Sequence, residues 1–415
     1  MIKIFKVFIA LTALMLVLAI IAGCQKSVPS DYHICIVTKD FEQSEEEIGG
    51  IEELIAEYVT VQNDGKIQWI NCSISLAANQ EAFIATLAGL ADDPLMKAVI
   101  VPTYIQGITA GFQKIRDSGR DDILLLVNIS RTGHTASQDD LDLLAKVADL
   151  IVAPDNELRS YYDIVRAKNM GATAFVYISP GLKVNNDVIE RRETVARRRV
   201  IYEQACKDLG LEFVFVDVPD PSTNPLGTGE IKEQVYDMMP GLIEKYGKDT
   251  VYYTTRPFLQ EPIIKRVAEF GAMFINQTDM SPSTGYPDAI GLGPSPEAGD
   301  WWAVTKKIEA DFVAKGASGR MGTWPYSYTH CCPVGLFELA LDLIEGRGTG
   351  NLKNDLMTAF EAVTPDCEWL ALRYLDPDGK EISNYYLLSM DTYIFGQGFS
   401  GALSEPFPEK YYNIR

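Results

Sequence analysis

Apolar and polar residues follow one another along the chain in two alternating patterns. Short apolar runs rich in β-branched residues, typical of buried strands, are separated by longer stretches with helical spacing. The predicted strands are 33–38, 67–74, 98–102, 123–129, 150–153 and 174–178, and the helices between them are 45–58, 80–90, 105–117, 139–148 and 157–169. Continuous apolar strands joined by crossover helices predict a parallel sheet that is covered on both faces.

A second series begins with a long helix over 187–209, in which apolar residues recur every seven positions at Val188, Val195, Tyr202 and Leu209. Strands at 212–218, 250–254, 273–276 and 289–291 then alternate with helices at 231–246, 259–270 and 297–315. The remaining chain predicts helices at 334–344 and 355–363 and a hairpin that turns at 376–379. Turn-rich segments at 179–181 and 316–324 divide the body into an N-terminal lobe (32–180 plus about 321–415) and a C-terminal lobe (181–320).

The amino terminus has the pattern of a bacterial lipoprotein signal peptide over residues 1–23. Lys3 and Lys6 precede an apolar run, 7–21, that only Thr12 interrupts, and small residues lead to Cys24. Cys24 is the predicted lipidation site, and 24–31 forms a polar tether to the folded body. The alternative is an uncleaved N-terminal anchor. Both interpretations predict an extracytoplasmic protein that is attached to the cell membrane.

Charge and cysteine content exclude several classes of partner. The net charge of -20 becomes -22 when Lys3 and Lys6 leave with the signal peptide, so we expect no nucleic-acid partner. Six cysteines remain, at 35, 72, 206, 331, 332 and 367, and we expect mostly buried thiols. A Cys35–Cys72 bridge, or one from Cys331 or Cys332 to Cys367, is the alternative. With three histidines and no ligand spacing, we expect neither a metal nor a cofactor.

Several motifs resemble a group of bacterial lipoproteins of unknown function. They are ERRETVARRR at 190–199, AC at 205–206, GLEFVFVDVPDP at 210–221, QEPIIK at 260–265 and GYP at 285–287. The likeness is clearest over 187–291, and in element order it covers about 32–400. That group is similar to the type I periplasmic solute-binding proteins, which include the basic-membrane-protein, purine-nucleoside and ribose-binding branches.

This resemblance implies an α/β fold of two Rossmann-like lobes with parallel sheets joined by a three-strand hinge. It further implies a small ligand in the cleft between the lobes and delivery of that ligand to an ABC permease. The aspartate and aromatic pair of the nucleoside-binding pocket does not carry over onto this sequence. The resemblance therefore implies no particular ligand.

Ligands of open parallel sheets bind outside the carboxyl ends of the strands, and this rule selects candidate residues. They are Asp40, Phe41, Ser75, Thr103, Tyr104, Arg131, Asn156, Arg256, Phe258, Asn276, Asp279 and Trp324. Arg131 and Arg256 offer planar forks to an anionic or hydroxyl-rich ligand from opposite lobes. Alternatively, each arginine ties its own loop through a carboxylate such as Asp279, and each aromatic residue packs in a core. The arginines at 191–199 predict a solvated helix face with a Glu193–Arg197 pair.

Catalytic motifs are missing from the sequence: there is no nucleophile elbow, phosphate loop or His-Glu-x-x-His motif. We therefore predict a monomeric binding protein, not an enzyme, that captures a small polar or anionic ligand and closes its lobes by hinge motion. The predicted hinge lies near 179–182 and 320–326, with a third crossing that the sequence does not locate. An extracytoplasmic sensor for a signalling partner is the alternative function, and a cell-surface enzyme is a more remote one.

Overall fold

The computed structural model describes residues 30–39, 45–73, 79–129, 137–180, 193–222, 225–291 and 300–414. The predicted signal peptide, Cys24 and most of the tether lie outside the described residues. No helix in the described part of the chain is long and apolar enough to span a membrane.

Strands and helices alternate as the apolar pattern predicts. In chain order they are β1 (His33–Lys39), α1 (Glu45–Tyr58), β2 (Ile67–Cys72), α2 (Gln80–Gly89), β3 (Met96–Val101), α3 (Ile108–Asp117), β4 (Leu124–Asn128), α4 (Gln138–Val147), β5 (Leu150–Pro154), α5 (Arg159–Asn169), β6 (Ala174–Pro180), α6 (Glu193–Leu209), β7 (Glu212–Val218), α7 (Thr228–Tyr246), β8 (Thr250–Tyr253), α8 (Pro257–Phe270), α9 (Tyr286–Ile290), α10 (Trp301–Ala314), β9 (Gly322–Thr323), α11 (Tyr328–Ile344), α12 (Leu352–Ala362), β10 (Trp369–Leu375), β11 (Glu381–Met390), β12 (Tyr393–Ile394) and β13 (Gly398–Phe399).

Two parallel sheets form the centres of two lobes. The first has the strand order β10-β11-β5-β4-β3-β1-β2, and only β10 runs antiparallel to its neighbour. The second has the order β7-β6-β8, and bridges at Val251–Met273 and Phe274–Met321 extend it. Because crossover helices cover both faces, the central strands β1, β3, β4, β5, β6 and β8 are almost wholly buried, whereas the edge strands β2 and β7 are half-buried. The predicted α/β class with two lobes is confirmed.

The chain passes between the lobes three times. It leaves the first sheet after β5 and enters α5 at Arg159; it returns between β9 and α11; and it crosses again between β11 and β12. The second crossing lies where the sequence predicts it, and the third lies at 391–392. The first lies near 155–158 instead of 179–182, because β6 pairs with β7 and β8 and belongs to the second lobe.

Other predicted elements also differ from the structure. Residues 273–276 form isolated bridges at Met273 and Phe274 instead of the predicted strand. Residues 289–291 were expected to form a strand, but Pro287 opens the short helix α9, which ends at Gly291 in the left-handed region. Helix α11 begins at Tyr328 and contains Pro333, although the sequence predicts a start after that proline. The Ser327 side chain accepts a hydrogen bond from the backbone N of His330 and caps the longer helix.

Helices α1 and α11 cross closely at Gly50. A Cβ atom at this position would lie 2.6 Å from the His330 carbonyl oxygen, whereas one at Gly49 would lie 3.6 Å from His330 Nδ1. We expect Gly50→Ala to lower the free energy of unfolding by about 1 to 3 kcal/mol, because backbone must move. Gly49→Ala is the matched control, and we expect no loss of stability in urea unfolding, since alanine favours the helix. Equal losses in both variants would contradict the close crossing.

Candidate functional site

Arg159 lies at the point where the first crossing enters the second lobe. Its side chain is fully buried, its Nη2 donates to the carbonyl oxygen of Thr278, and its guanidinium carbon lies 5.0 Å from the centroid of the Trp324 ring. Its Nε and Nη1 have no hydrogen-bond partner. Burying a charged group with idle donors is unfavourable unless a bound group supplies the acceptors. The guanidinium is therefore the strongest sign of a ligand site in the described chain.

Asp155 lies four residues before Arg159, directly after β5. Its Oδ1 accepts hydrogen bonds from the backbone N atoms of Glu157, at 3.1 Å, and Leu158, at 2.8 Å, whereas its Oδ2 has no partner. Burial raises the pKa of this carboxyl to about 6, and the nearby charge of Arg159 acts in the opposite direction. Asp155 thus changes charge in a pH range where most carboxyl groups are ionised.

The raised pKa of Asp155 makes stability depend on pH. Below about pH 4 the carboxyl is protonated in both the folded and the unfolded protein, so its burial carries little penalty. As the pH rises, the free-energy penalty for burying its charge grows until the pH exceeds the folded-state pKa of about 6. We expect Asp155→Asn to raise the free energy of unfolding by about 2 to 3 kcal/mol at pH 7 and to change it little at pH 4. Urea unfolding at both pH values measures this difference. A gain that is the same at both would contradict the raised pKa.

Two buried polar side chains of the second lobe also have atoms without a hydrogen-bond partner. Asn276 is fully buried, and its Nδ2 donates to Asp163 Oδ1 at 3.0 Å while its Oδ1 has no partner. Arg198 is also buried and donates from Nη2 to the hydroxyls of Tyr202, at 2.9 Å, and Tyr253, at 3.0 Å. Its Nε has no partner. Idle donors and an idle acceptor therefore occur together beside the crossings.

Asp279 marks the open side of this site. Its side chain reaches solvent, yet enclosure by surrounding protein raises the pKa of its carboxyl, while Arg159 and Arg198 lower it. Its exposed position places it at the solvent edge of these buried polar groups. We call Asp155, Arg159, Arg198, Asn276, Asp279 and Trp324 the interlobe cluster.

A buried network around Asp163 holds the crossings in place beside the cluster. Its carboxylate accepts hydrogen bonds from Arg166 Nη1 at 3.2 Å, Asn276 Nδ2 at 3.0 Å and the Tyr202 hydroxyl at 2.9 Å. Arg166 also contacts Asp391 Oδ1 on the third crossing, at 3.4 Å. Asp163 therefore links α5 to α6 and to the segment that carries Asn276. Arg166 connects this network to the third crossing through Asp391.

Three of the candidate residues predicted from sequence lie in the interlobe cluster: Asn276, Asp279 and Trp324. Trp324 is fully buried, and its Nε1 donates to the carbonyl oxygen of Gln277 at 2.7 Å. Asn156 follows Asp155 on the first crossing and is half-buried. Asp40, Phe41, Ser75 and Arg131 lie outside the described residues, so their predicted role stays a prediction.

The other candidates have local contacts. The Thr103 hydroxyl donates to Glu47, the Tyr104 hydroxyl donates to Asp140 Oδ2 at 2.8 Å, and Phe258 packs against the core of the second lobe. Arg256 is half-buried at the start of α8, and its Nε has no partner.

Sequence reasoning missed Arg159 and Arg198. The helix over 157–169 was expected only as a crossover, but α5 is buried on every side from Arg159 to Ala167. The predicted solvated face of α6 is wrong for Arg198, which is buried, and for Arg197, which pairs with Glu157 at 2.6 Å. Arg197 also donates to carbonyl oxygens near the C-terminus, which covers this helix.

All six described cysteines are buried and form no disulfide with one another, so neither alternative bridge is present. Burial raises the pKa of Cys206 to about 12, which leaves a neutral thiol. No group of three histidine, cysteine or acidic side chains within the described ranges is arranged to hold a metal ion.

Comparison with known proteins assigns the family. A family model described as "Protein of unknown function (DUF3798)" matches residues 32–322. The chain belongs to the DUF3798 family. An uncharacterized protein of Treponema pallidum (strain Nichols) is 28% identical over 242 residues, which are 57% of this DUF3798 chain and the whole of that protein.

One of the similar solved structures, with a TM-score above 0.5, supports the fold of this DUF3798 protein. A putative transcriptional regulator from Clostridium difficile 630 superposes with a TM-score of 0.74 at 21% identity, covering 89% of this chain and all of that one. An ABC transporter solute-binding protein from Burkholderia multivorans matches with a TM-score of 0.35 at 14% identity, over 77% of this chain and 94% of that one. At these identities the likeness concerns the fold alone.

Proposed function

We propose that the chain is a monomeric, lipid-anchored extracytoplasmic binding protein, which captures a small polar ligand between its lobes and presents it to an ABC permease. The observation that carries the proposal is the buried guanidinium of Arg159, with Nε and Nη1 idle beside Trp324. Idle buried donors and an adjacent aromatic face are what a pre-formed ligand site requires.

The chemistry of the interlobe cluster favours a ligand with an anionic group. Arg159 and Arg198 together leave three guanidinium nitrogens without an acceptor. A carboxylate or phosphate accepts such charge-assisted hydrogen bonds best. Asp155 Oδ2 and Asn276 Oδ1 leave two acceptors for hydroxyl or amino groups of the same ligand. We therefore propose a small anionic ligand that also carries hydrogen-bond donors.

The three crossings support a mechanism of capture by closure. The cluster draws residues from the first crossing, the second crossing and the second lobe, so a ligand that contacts all three would stabilise the closed arrangement. Solvent contact at Asp279 supports an entry from this side. A sensor would use the same cleft, and only the partner that reads the closed form would differ.

Thermal-shift screening of the chain without residues 1–23 tests the binding role. The panel contains sugar acids, amino acids, nucleotides, and neutral sugars and nucleosides as uncharged controls. A ligand at 100 times its dissociation constant should stabilise the folded state by about 2.7 kcal/mol. We expect stabilisation by an anionic member of the panel. Stabilisation by neutral compounds alone would contradict the proposed ligand class, and stabilisation by none would contradict the binding role.

Membrane attachment is tested on the full chain. Cells that express the wild type and a Cys24→Ala variant are labelled with radioactive palmitate. We expect label in the wild type alone, because the thiol of Cys24 is the predicted acceptor. Equal label in both would place the lipid elsewhere, and no label in either would favour the uncleaved anchor.

A further inference from the structure

A second concave site lies apart from the interlobe cluster, on the seam between α10 of the second lobe and α1 and α11 of the first. Its volume is about 280 Å³, and its walls include Glu53, Asp300, Trp301, Trp302, Tyr326 and Asp366. None of the residues that line it belongs to the interlobe cluster, and none is a lysine or arginine. We call it the aromatic–acidic pocket.

Aromatic rings form one part of the wall. Trp301 packs with the core of the first lobe, and its ring centroid lies 5.7 Å from that of His330 on α11. Trp302 and Tyr326 are stacked, with centroids 6.2 Å apart and planes at 17°. The Trp302 face already attracts a cation, since Lys306 Nζ lies 4.7 Å from its centroid.

Carboxylates form the other part. Glu53, Asp300 and Asp366 come from three separate elements, namely α1, the start of α10 and the loop after α12. Burial, together with neighbouring groups that include Asp366 and Asp300, raises the pKa of the Tyr326 hydroxyl. Three carboxylates around a pocket without a basic wall residue attract a positive ligand and repel an anion.

Two buried nitrogens on the wall residues have no partner. They are Trp301 Nε1, on a side chain that is 9% exposed, and His330 Nδ1, on one that is 5% exposed. His330 Nε2 lies 3.2 Å from the Glu53 carboxylate, which only accepts, so Nε2 carries a hydrogen toward it. The unpartnered N–H of Trp301 suits the oxygen of a ligand hydroxyl group.

We propose that the aromatic–acidic pocket binds a small organic ammonium ion that carries a hydroxyl group. The aromatic faces and the carboxylates recognise the ammonium group, as they do in other sites that bind quaternary amines. The ligand differs in charge from the anion that we propose for the interlobe cluster. The two sites are therefore independent in chemistry as well as in position.

Isothermal titration of the chain without residues 1–23 tests this proposal, with choline as the probe. The matched control compound is 3,3-dimethyl-1-butanol, which has nearly the shape of choline but no charge. We expect saturable choline binding that is at least about tenfold tighter than binding of the neutral alcohol. Tetramethylammonium, which lacks the hydroxyl, should bind more weakly than choline. Equal affinity for choline and the alcohol, or no saturable choline binding, would overturn the proposal.

A triple variant, Glu53→Gln, Asp300→Asn and Asp366→Asn, removes the three charges with little change of shape. Asparagine retains the capping acceptor that Asp300 offers to the backbone N of Ala303, and it tolerates the positive φ of 65° at Asp366. Choline affinity should fall at least about tenfold, with an unchanged melting temperature. Glu52 is the exposed neighbour of Glu53 on α1 and supplies the control: the Glu52→Gln variant should bind choline like the wild type. Unchanged choline affinity in the triple variant would overturn the proposal.

Discussion

Replacing Arg159 by methionine is expected to abolish ligand binding without loss of stability. Hydrogen bonds to a charged group contribute about 1.5 to 3 kcal/mol each, so two lost contacts weaken binding about 100-fold or more. In the unliganded protein the same guanidinium is buried with two idle donors. An apolar chain of similar length avoids that desolvation, and we expect an equal or higher melting temperature.

Arg116→Met is the matched control for this experiment. Arg116 lies on α3 of the first lobe and is fully used: it donates to the carbonyl oxygens of Val147, Arg120 and Ile123 and pairs with Asp149 at 2.7 Å. Its loss should lower the free energy of unfolding by about 2 kcal/mol and leave ligand affinity unchanged. Calorimetric titration with the stabilising compound and urea unfolding measure both quantities. An Arg159→Met variant that is destabilised yet binds normally would show that Arg159 has a structural role only.

Asp163→Ala is expected to cause the largest loss of stability of the single substitutions considered. The substitution removes one acceptor each from Arg166, Asn276 and the Tyr202 hydroxyl in a fully buried environment. Arg166 keeps Asp391, and Asn276 keeps the Thr392 hydroxyl. Breaking such a buried network costs about 3 to 5 kcal/mol. Asp163→Asn, which retains an acceptor oxygen, should lose less.

Asp237→Ala, at an exposed position of α7, provides the control and should change the free energy of unfolding by less than about 0.5 kcal/mol. Urea denaturation followed by circular dichroism measures all three variants. A loss below about 1 kcal/mol in Asp163→Ala would mean that the network does not hold the crossings together.

The positions of single helices and strands were predictable where each element buries its own apolar residues. Helix 45–58 and strand 212–218 have the predicted bounds, and the hairpin turns at 376–379 between β10 and β11. The place where the chain first changes sheet was not predictable, because β6 has the same continuous apolar pattern as the strands of the first lobe. Only pairing with β7 and β8 assigns it to the second lobe.

The site was predictable only where it follows the carboxyl end of a strand. That rule found Asn276 and Asp279, which come after the second sheet. It missed Arg159 and Arg198 because both lie on helices, where charged side chains normally face solvent. Arg159 contacts Thr278 and Trp324, and Arg198 contacts Tyr253, all of them far away in sequence. Local periodicity carries no information about such long-range contacts.

Native mass spectrometry of the chain without residues 1–23 tests the central claim most directly. Wild type and Arg159→Met are purified in parallel from the same cells and measured without denaturation. We predict one small bound molecule per wild-type chain, either retained through purification or bound after incubation with the panel. We predict none on the variant. The same bound mass on both proteins, or no bound mass on either after incubation with the full panel, would contradict a ligand site at the interlobe cluster.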